Sequence, residues 1–304
     1  MIECPLCKGA AEQQLGQMTL SRIGEVEIRR CAHCDVMFSH PLPSPEALRR
    51  CYASEYLDAK GKPAGYFNYV RDIGPTRLRD GRELGASLSF IPGRLLEIGC
   101  CTGHFIKGVA DASSWEVHGL EISEEAADYG RTRLGVSIET GNIEEVELPE
   151  NHYDVICLND VLEHLVDPGA ALAKIHRALK PGGKMHLVLP DGRFDVLPFV
   201  REARAGGSLT SPHWHLFFFP QAAICRTLRS AGFRVTSAQR TMALSALVDL
   251  GLFKPARGEF DRKSRGLLAY PRRRGRVTRA LLGMVEKVLP TLGLGHELSI
   301  WAGK

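Results

Sequence analysis

An α/β fold is expected for this 304-residue chain, with a parallel sheet covered by helices on both faces and a small cysteine ribbon in front. From Arg94 onward, short apolar runs alternate with amphipathic stretches at the spacing of βα units. Two C-x2-C pairs fall within the first forty residues. The composition, 44% hydrophobic and 24% charged, suits a globular chain with a sizeable core and excludes a disordered one. These features divide the chain into a ribbon (1–40), a helical lead-in (41–90) and an α/β domain (91–304), the last with an Arg-rich insertion at 241–294.

The ribbon comes first. Cys4 and Cys7 stand in CPLC, and Cys31 and Cys34 repeat the spacing in CAHC. A C-x2-C turn presents two thiolates from one knuckle, and two knuckles close a tetrahedral Zn2+ shell. Such a shell leaves no open position, so the metal is expected to be structural. GQMTLSRIGEVEIRR, between the knuckles, supplies strands around a Gly turn. Cys51, Cys100, Cys101, Cys157 and Cys225 read as small buried hydrophobes. The opening residues lack the basic-then-apolar layout of a signal peptide, and no run of 18 apolar residues occurs, so a cytoplasmic location is expected.

Ser44 then caps a helix with Pro45 at its first position, and residues 66–90 carry a second helical pattern. RLLEIG is a buried parallel strand, followed by a sharp turn and the helix of CCTGHFIKGVAD. EVHGLEIS is the second strand. EEAADYGRTRLG is a helix stopped at Gly135, and VSIETGNIEE is the third strand and its turn. YDVICLNDVLEHL is a fourth strand running into a loop and helix. LAKIHRALKPGG is a helix closed by Pro-Gly-Gly, and KMHLVLP is the fifth strand. GFRVTSAQR and HELSIWAGK supply the sixth and seventh. Ligands of such sheets sit at the carboxyl ends of the strands. Gly99 and Gly103 let the backbone approach a ligand there, and Glu121 ends the second strand where an acid can accept both ribose hydroxyls.

LEIGCCTGHF, GLEIS, GNIEE, YDVICLNDVLEHLVDP and LKPGG together resemble the successive motifs of class I S-adenosylmethionine (SAM) methyltransferases, over roughly residues 94–240. The resemblance implies a Rossmann-like sheet of seven strands with the last antiparallel, and SAM as cofactor. The ribbon in front is similar to that of some bacterial sugar and natural-product methyltransferases. By position, Glu97, Gly99, Cys101 and Gly103 would surround the methionine part of SAM, with Phe105 packed under the loop. Glu121 would hold the ribose and Ile122 would pack on the adenine. Asn142 and Ile143 would contact the adenine edge and face, and Asn159 and Val161 would line the sulfonium side. Cys101 departs from the family pattern, which has Gly there, and its Cβ and sulfur demand an adjusted loop.

Methyl transfer from a sulfonium needs a positioned acceptor and a route for its proton. Two clusters offer one. In DVLEH, Asp160, Glu163 and His164 share a face if the segment is helical. A similar E-x-x-E-H binds a divalent metal in ubiquinone-pathway and small-RNA methyltransferases, so Mg2+ at these three residues is one reading and a metal-free structural role the other. In SPHWHLFFFP, His213 and His215 fall on one side if extended. The stretch loosely resembles a base-bearing segment of sugar C-methyltransferases, and an imidazole is a sound base near neutral pH. His215 is expected to be the base, with His213 second. Asp191 and Arg193, just past the fifth strand, are either acceptor contacts or solvated loop charges.

The formal charge of +4 conceals an asymmetry. Eight basic residues and no acidic one lie between Arg262 and Arg279, so the remainder is net acidic, unlike a dedicated duplex binder. The segment 262–289 reads as a helical insertion with solvated charges, as a peripheral membrane contact, or as a phosphate grip on RNA. The expected function is methyl transfer from SAM to a small-molecule or glycan-type acceptor. An RNA methyltransferase and a non-catalytic SAM-binding or zinc-scaffold protein are the alternatives.

Overall fold

A computed structural model describes residues 2–53, 69–88, 91–211, 214–241 and 288–304, without the side chains of Ala11, Glu12 and Ala53. His213 and the arginine run at 262–279 lie outside the described residues.

The chain opens with β1 (Ala11–Leu20) and β2 (Gly24–Cys31), a hairpin whose register closes at Leu20 and Gly24, and β3 (Met37–His40) pairs antiparallel with β2. Ser44 accepts the Ala47 N–H at 3.2 Å and starts α1 (Pro45–Ala53). A π-helical turn (Tyr69–Ile73) leads into α2 (Gly74–Ser87). The βα alternation follows: β4 (Arg94–Ile98), α3 (His104–Ala112), β5 (Glu116–Glu121) and α4 (Glu124–Tyr129). Ser123 caps α4, and a π-turn (Gly130–Leu134) carries it to Gly135, where φ is +66°. Next come β6 (Ser137–Thr140), β7 (Tyr153–Asn159), a single 3-10 turn (Leu162–His164), α5 (Pro168–Ala178) capped by Asp167, and β8 (Leu179–Pro190). The last elements are α6 (Gly192–Asp195), α7 (Leu197–Arg204), β9 (Leu209–Ser211), β10 (Phe217–Phe218), α8 (Gln221–Ser230), β11 (Arg234–Thr241) and β12 (Glu297–Gly303).

Seven strands form the main sheet in the order β11-β12-β8-β7-β4-β5-β6, and β4 pairs parallel with both β5 and β7. The strand order reverses beside β4, which opens a crevice at its carboxyl end. The chain divides into two compact units. One comprises Met1–Leu42, Val188–Thr227 and Ser237–Ile300; the other comprises Pro43–Leu187, Leu228–Thr236 and Trp301–Lys304.

In the first unit the ribbon strands do not stand alone. β9 pairs parallel with β1 and β10 pairs antiparallel with β3, giving a second sheet in the order β10-β3-β2-β1-β9. Phe38, Phe217, Phe218 and Phe219 are almost wholly buried there. In the second unit Leu95, Phe105, Ile106, Val109, Ile138 and Val155 form the core. Helices α2 and α3 meet backbone to backbone: a Cβ on Gly81 would lie 2.0 Å from the Phe105 carbonyl oxygen, and one on Gly108 would lie 2.2 Å from that of Leu78. The lead-in helix is thereby locked onto the helix that follows the first glycine loop.

One boundary differs from the sequence expectation. Helix α5 ends at Ala178, and Pro181, Gly182 and Gly183 lie inside β8 rather than closing the helix. The final carbonyls of the helix already have other donors. Asn151 N–H bonds Arg177 O, His152 N–H bonds Ala178 O, and Lys304 Nζ reaches Arg177 O and Leu179 O. No helix among the described residues is long and apolar enough to cross a membrane.

Candidate active site

The crevice is built at the carboxyl ends of β4, β5 and β7. β4 ends in Glu97-Ile98, and Gly99 and Gly103 turn the chain with φ of +68° and +74°. A Cβ on Gly99 would fall 2.4 Å from Val161 Cγ2, so only glycine lets the loop pass the segment after β7. Cys101 stands between the two glycines with φ of +49°. It keeps the left-handed backbone that glycine would supply, at some strain. Its side chain is buried against Ala126, with Tyr69 and Tyr129 alongside.

Glu121 pins this loop. One oxygen accepts the Cys101 N–H at 2.7 Å and the other the Ser123 N–H at 2.9 Å. The carboxylate is 5% exposed, and burial pushes its pKa up against the pull of these backbone donors. Glu97 is buried deeper. Its Oε1 accepts Asn159 Nδ2 at 2.9 Å, while Oε2 is buried with no hydrogen-bond partner among the described residues. Burial lifts its pKa to about 7; the Asn159 hydrogen bond and Arg77 pull down, and Glu121 pushes up. The crevice thus carries more carboxylate than it neutralises, which suits a cationic ligand.

Ile122 is half-buried beside Glu121, and Ile143 is 4% exposed after β6. The Asn142 side chain accepts the Glu144 N–H at 3.0 Å and shapes the turn that carries Ile143. Phe105 is part of the core beneath the loop. His104 is buried at the start of α3, with Nδ1 2.7 Å from Thr102 Oγ1 and its ring stacked on Tyr129; burial lowers its pKa.

The helical face expected for DVLEH does not form. Asp160 has φ of +54°, ahead of the one 3-10 turn that holds Glu163 and His164. Its carboxylate accepts Arg77 Nη2 at 2.6 Å. Arg77 comes from α2 and is 7% exposed. Sequence patterning did not mark it, because an arginine in a helical lead-in looks like any solvated charge.

His215 belongs to the other unit. Its Nδ1 is 2.7 Å from Asp195 Oδ2, and both side chains are mostly buried. A carboxylate on Nδ1 fixes the tautomer and leaves Nε2 as the basic nitrogen. Asp195, on α6, had no signal in the sequence beyond an acid in a loop. Asp191 is fully buried; it caps α6 and binds Arg193 and Arg240, so it is no solvated loop charge.

Cys4, Cys7, Cys31 and Cys34 converge, with all four sulfurs within 4.8 Å of one another. Cys4 and Cys34 are 3.7 Å apart, and Cys7 and Cys31 are 3.5 Å apart. A tetrahedron with Zn–S bonds of about 2.3 Å has edges of about 3.8 Å, and these two sulfur pairs match that spacing, so the cluster could hold such an ion. The hydrogen bond with the Cys34 thiol draws the Cys4 pKa down to about 5.

A methyltransferase-domain family model matches residues 69–238, more than half of the chain and all of the crevice just described. This chain belongs to the class I SAM-dependent methyltransferases. The methyltransferase is 28% identical to a demethylmenaquinone methyltransferase of Symbiobacterium thermophilum over 152 residues, 47% of this chain and 60% of that one. It is 29% identical to a ubiquinone biosynthesis O-methyltransferase of Bordetella avium over 127 residues, 40% of this chain and 52% of the relative. A solved SAM-dependent methyltransferase from Mesorhizobium loti aligns with 73% of this chain and 96% of its own, at 15% identity and a TM-score of 0.47. The chain spans 60% or less of the length of these two curated relatives.

Proposed function

We propose that the protein transfers a methyl group from SAM to a small-molecule or glycan-type acceptor, with His215 as the base. The observation that carries this reading is the crevice at β4 and β5. It joins a glycine-turned loop, a ribose-spaced acid at Glu121 and a buried, half-satisfied acid at Glu97. SAM fits that donor set, since it brings an ammonium and a sulfonium to an acidic crevice. When bound, it supplies an electrophilic methyl group on sulfur.

The residues then divide the work. Glu97, steadied by Asn159, takes the ammonium on its open oxygen. Gly99, Cys101 and Gly103 let the backbone pass close to the methionine part. Glu121 receives the ribose hydroxyls while it holds the Cys101 N–H. Ile122 and Ile143 cover the adenine faces, Asn142 sets its edge, and Val161 lines the sulfonium side. His215 removes the acceptor proton at Nε2 as the methyl group arrives, and Asp195 stabilises the imidazolium that forms. In the ribbon, Cys4, Cys7, Cys31 and Cys34 hold a structural Zn2+, which leaves no position open for chemistry.

Calorimetric titration with SAM and with S-adenosylhomocysteine tests the cofactor reading. One site per chain with micromolar affinity for both is expected. No binding to folded, zinc-loaded protein would overturn it.

A further inference from the structure

Asp191 has no exposed surface, yet two arginines share it. Its Oδ1 takes the Arg193 backbone N–H at 3.1 Å and Arg193 Nε at 3.2 Å. Its Oδ2 takes Arg193 Nη2 at 3.0 Å and Arg240 Nε at 2.9 Å. One guanidinium would neutralise the buried carboxylate; the second leaves a net positive charge. The Arg240 side chain is only 15% exposed and that of Arg193 is 47% exposed, so the paired heads are half-buried with one side open to solvent.

The donors of this pair are not used up. Arg193 Nη2 also reaches Gly293 O at 3.2 Å. Among the described residues, nothing accepts from Arg193 Nη1 or from either terminal nitrogen of Arg240. Counting five N–H bonds per guanidinium, about six remain open across the two heads. A carboxylate offers about four lone pairs, whereas three phosphate oxygens offer about six. Arg193 also lies on α6, the four-residue helix whose last residue, Asp195, holds His215. Arg193 and the carboxylate that holds the imidazole are therefore carried by one short element, and Arg240 joins them from β11.

We propose that Arg193 and Arg240 form an anion site that takes a phosphate group of the acceptor and sets its reacting atom toward His215. The inference rests on the methyltransferase reading and narrows the acceptor to a phosphorylated or diphosphate-linked molecule. Asp191 orients both guanidinium heads and is a positioning residue.

The test is calorimetry on the full, zinc-loaded chain saturated with S-adenosylhomocysteine, titrated with inorganic pyrophosphate and, separately, with citrate. One saturable pyrophosphate site per chain is expected, with citrate at least tenfold weaker. Arg240→Met should weaken pyrophosphate at least tenfold. Arg240→Lys keeps a cation on Asp191 but spends its single head there, so it should lose the anion equally while protecting the fold. S-adenosylhomocysteine affinity should be unchanged in both variants. No saturable pyrophosphate binding, equal binding by the parent and both variants, or preference for citrate would each overturn the proposal. Failure of S-adenosylhomocysteine to bind the parent would instead strike the methyltransferase reading, and pyrophosphate titrated alone would still report on the two arginines.

Discussion

Glu97→Gln removes one buried charge while keeping the shape of the side chain and an acceptor for Asn159. In the folded chain burial lifts the Glu97 pKa from an ordinary 4.5 to about 7. Between those two values the folded form keeps a proton that the unfolded form releases. Stability therefore falls as pH rises through this window, and the loss is complete above the folded value. At about 1.4 kcal/mol per tenfold change in proton affinity, the full effect is about 3 kcal/mol. Glutamine has no proton to lose, so the variant is flat in this respect. Urea denaturation of parent and variant at pH 5, 6, 7 and 8, without cofactor, reads the difference. The advantage of the variant should grow by about 2.5 kcal/mol from pH 5 to pH 8, because part of the effect is already present at pH 5, and most of the growth should come by pH 7. Saturation with S-adenosylhomocysteine should shrink that growth in the parent, because the ligand brings a cation to Glu97. A stability difference constant across the four pH values would refute the account of Glu97 as a reluctantly ionised acid.

His215→Ala should lower turnover by about 10²-fold or more with SAM affinity nearly unchanged, and Asp195→Asn should lower it less, both measured by steady-state kinetics. Cys31→Ser should release the metal from freshly purified protein, read by elemental analysis as far less than one zinc per chain, and lower the Tm of the ribbon unit. Gly81→Ala drives a Cβ against the Phe105 carbonyl and should cost about 1–3 kcal/mol in chemical denaturation, where an exposed helical glycine would gain from the same change. Cys101→Gly removes a left-handed non-glycine residue, so SAM should bind at least as tightly as to the parent in calorimetry.

The sheet was legible because its central strands β4 and β7 are short apolar runs and because the motifs fall in a fixed order. Ser44 and Pro45 marked the start of α1 through local capping chemistry alone. Glu97 and Glu121 were legible as acids ending strands. Their different burdens were not, since one acid is satisfied by the backbone and the other by a single amide. The DVLEH reading assumed a helix; Asp160 instead takes a left-handed turn and its carboxylate pairs with Arg77, eighty-three residues earlier in the chain. Asp195 and Arg240 stayed hidden for the same reason. A buried ion pair is defined by a partner distant in sequence, and no local period announces it.

The five-stranded sheet of the ribbon unit has a consequence for how the protein is made. β1, β2 and β3 are synthesised first, and their outer neighbours β9 and β10 follow only after the whole βα alternation. During that interval both edges of the three-stranded piece present unpaired backbone groups, the condition under which strands recruit wrong partners. Met18, Leu20 and Phe38, buried in the finished sheet, wait for the same late arrivals. A metal held by Cys4, Cys7, Cys31 and Cys34 needs none of them, because all four ligands precede β3 in the chain. Zinc would then act as a placeholder early in synthesis, keeping the first strands in register until the closing strands exist.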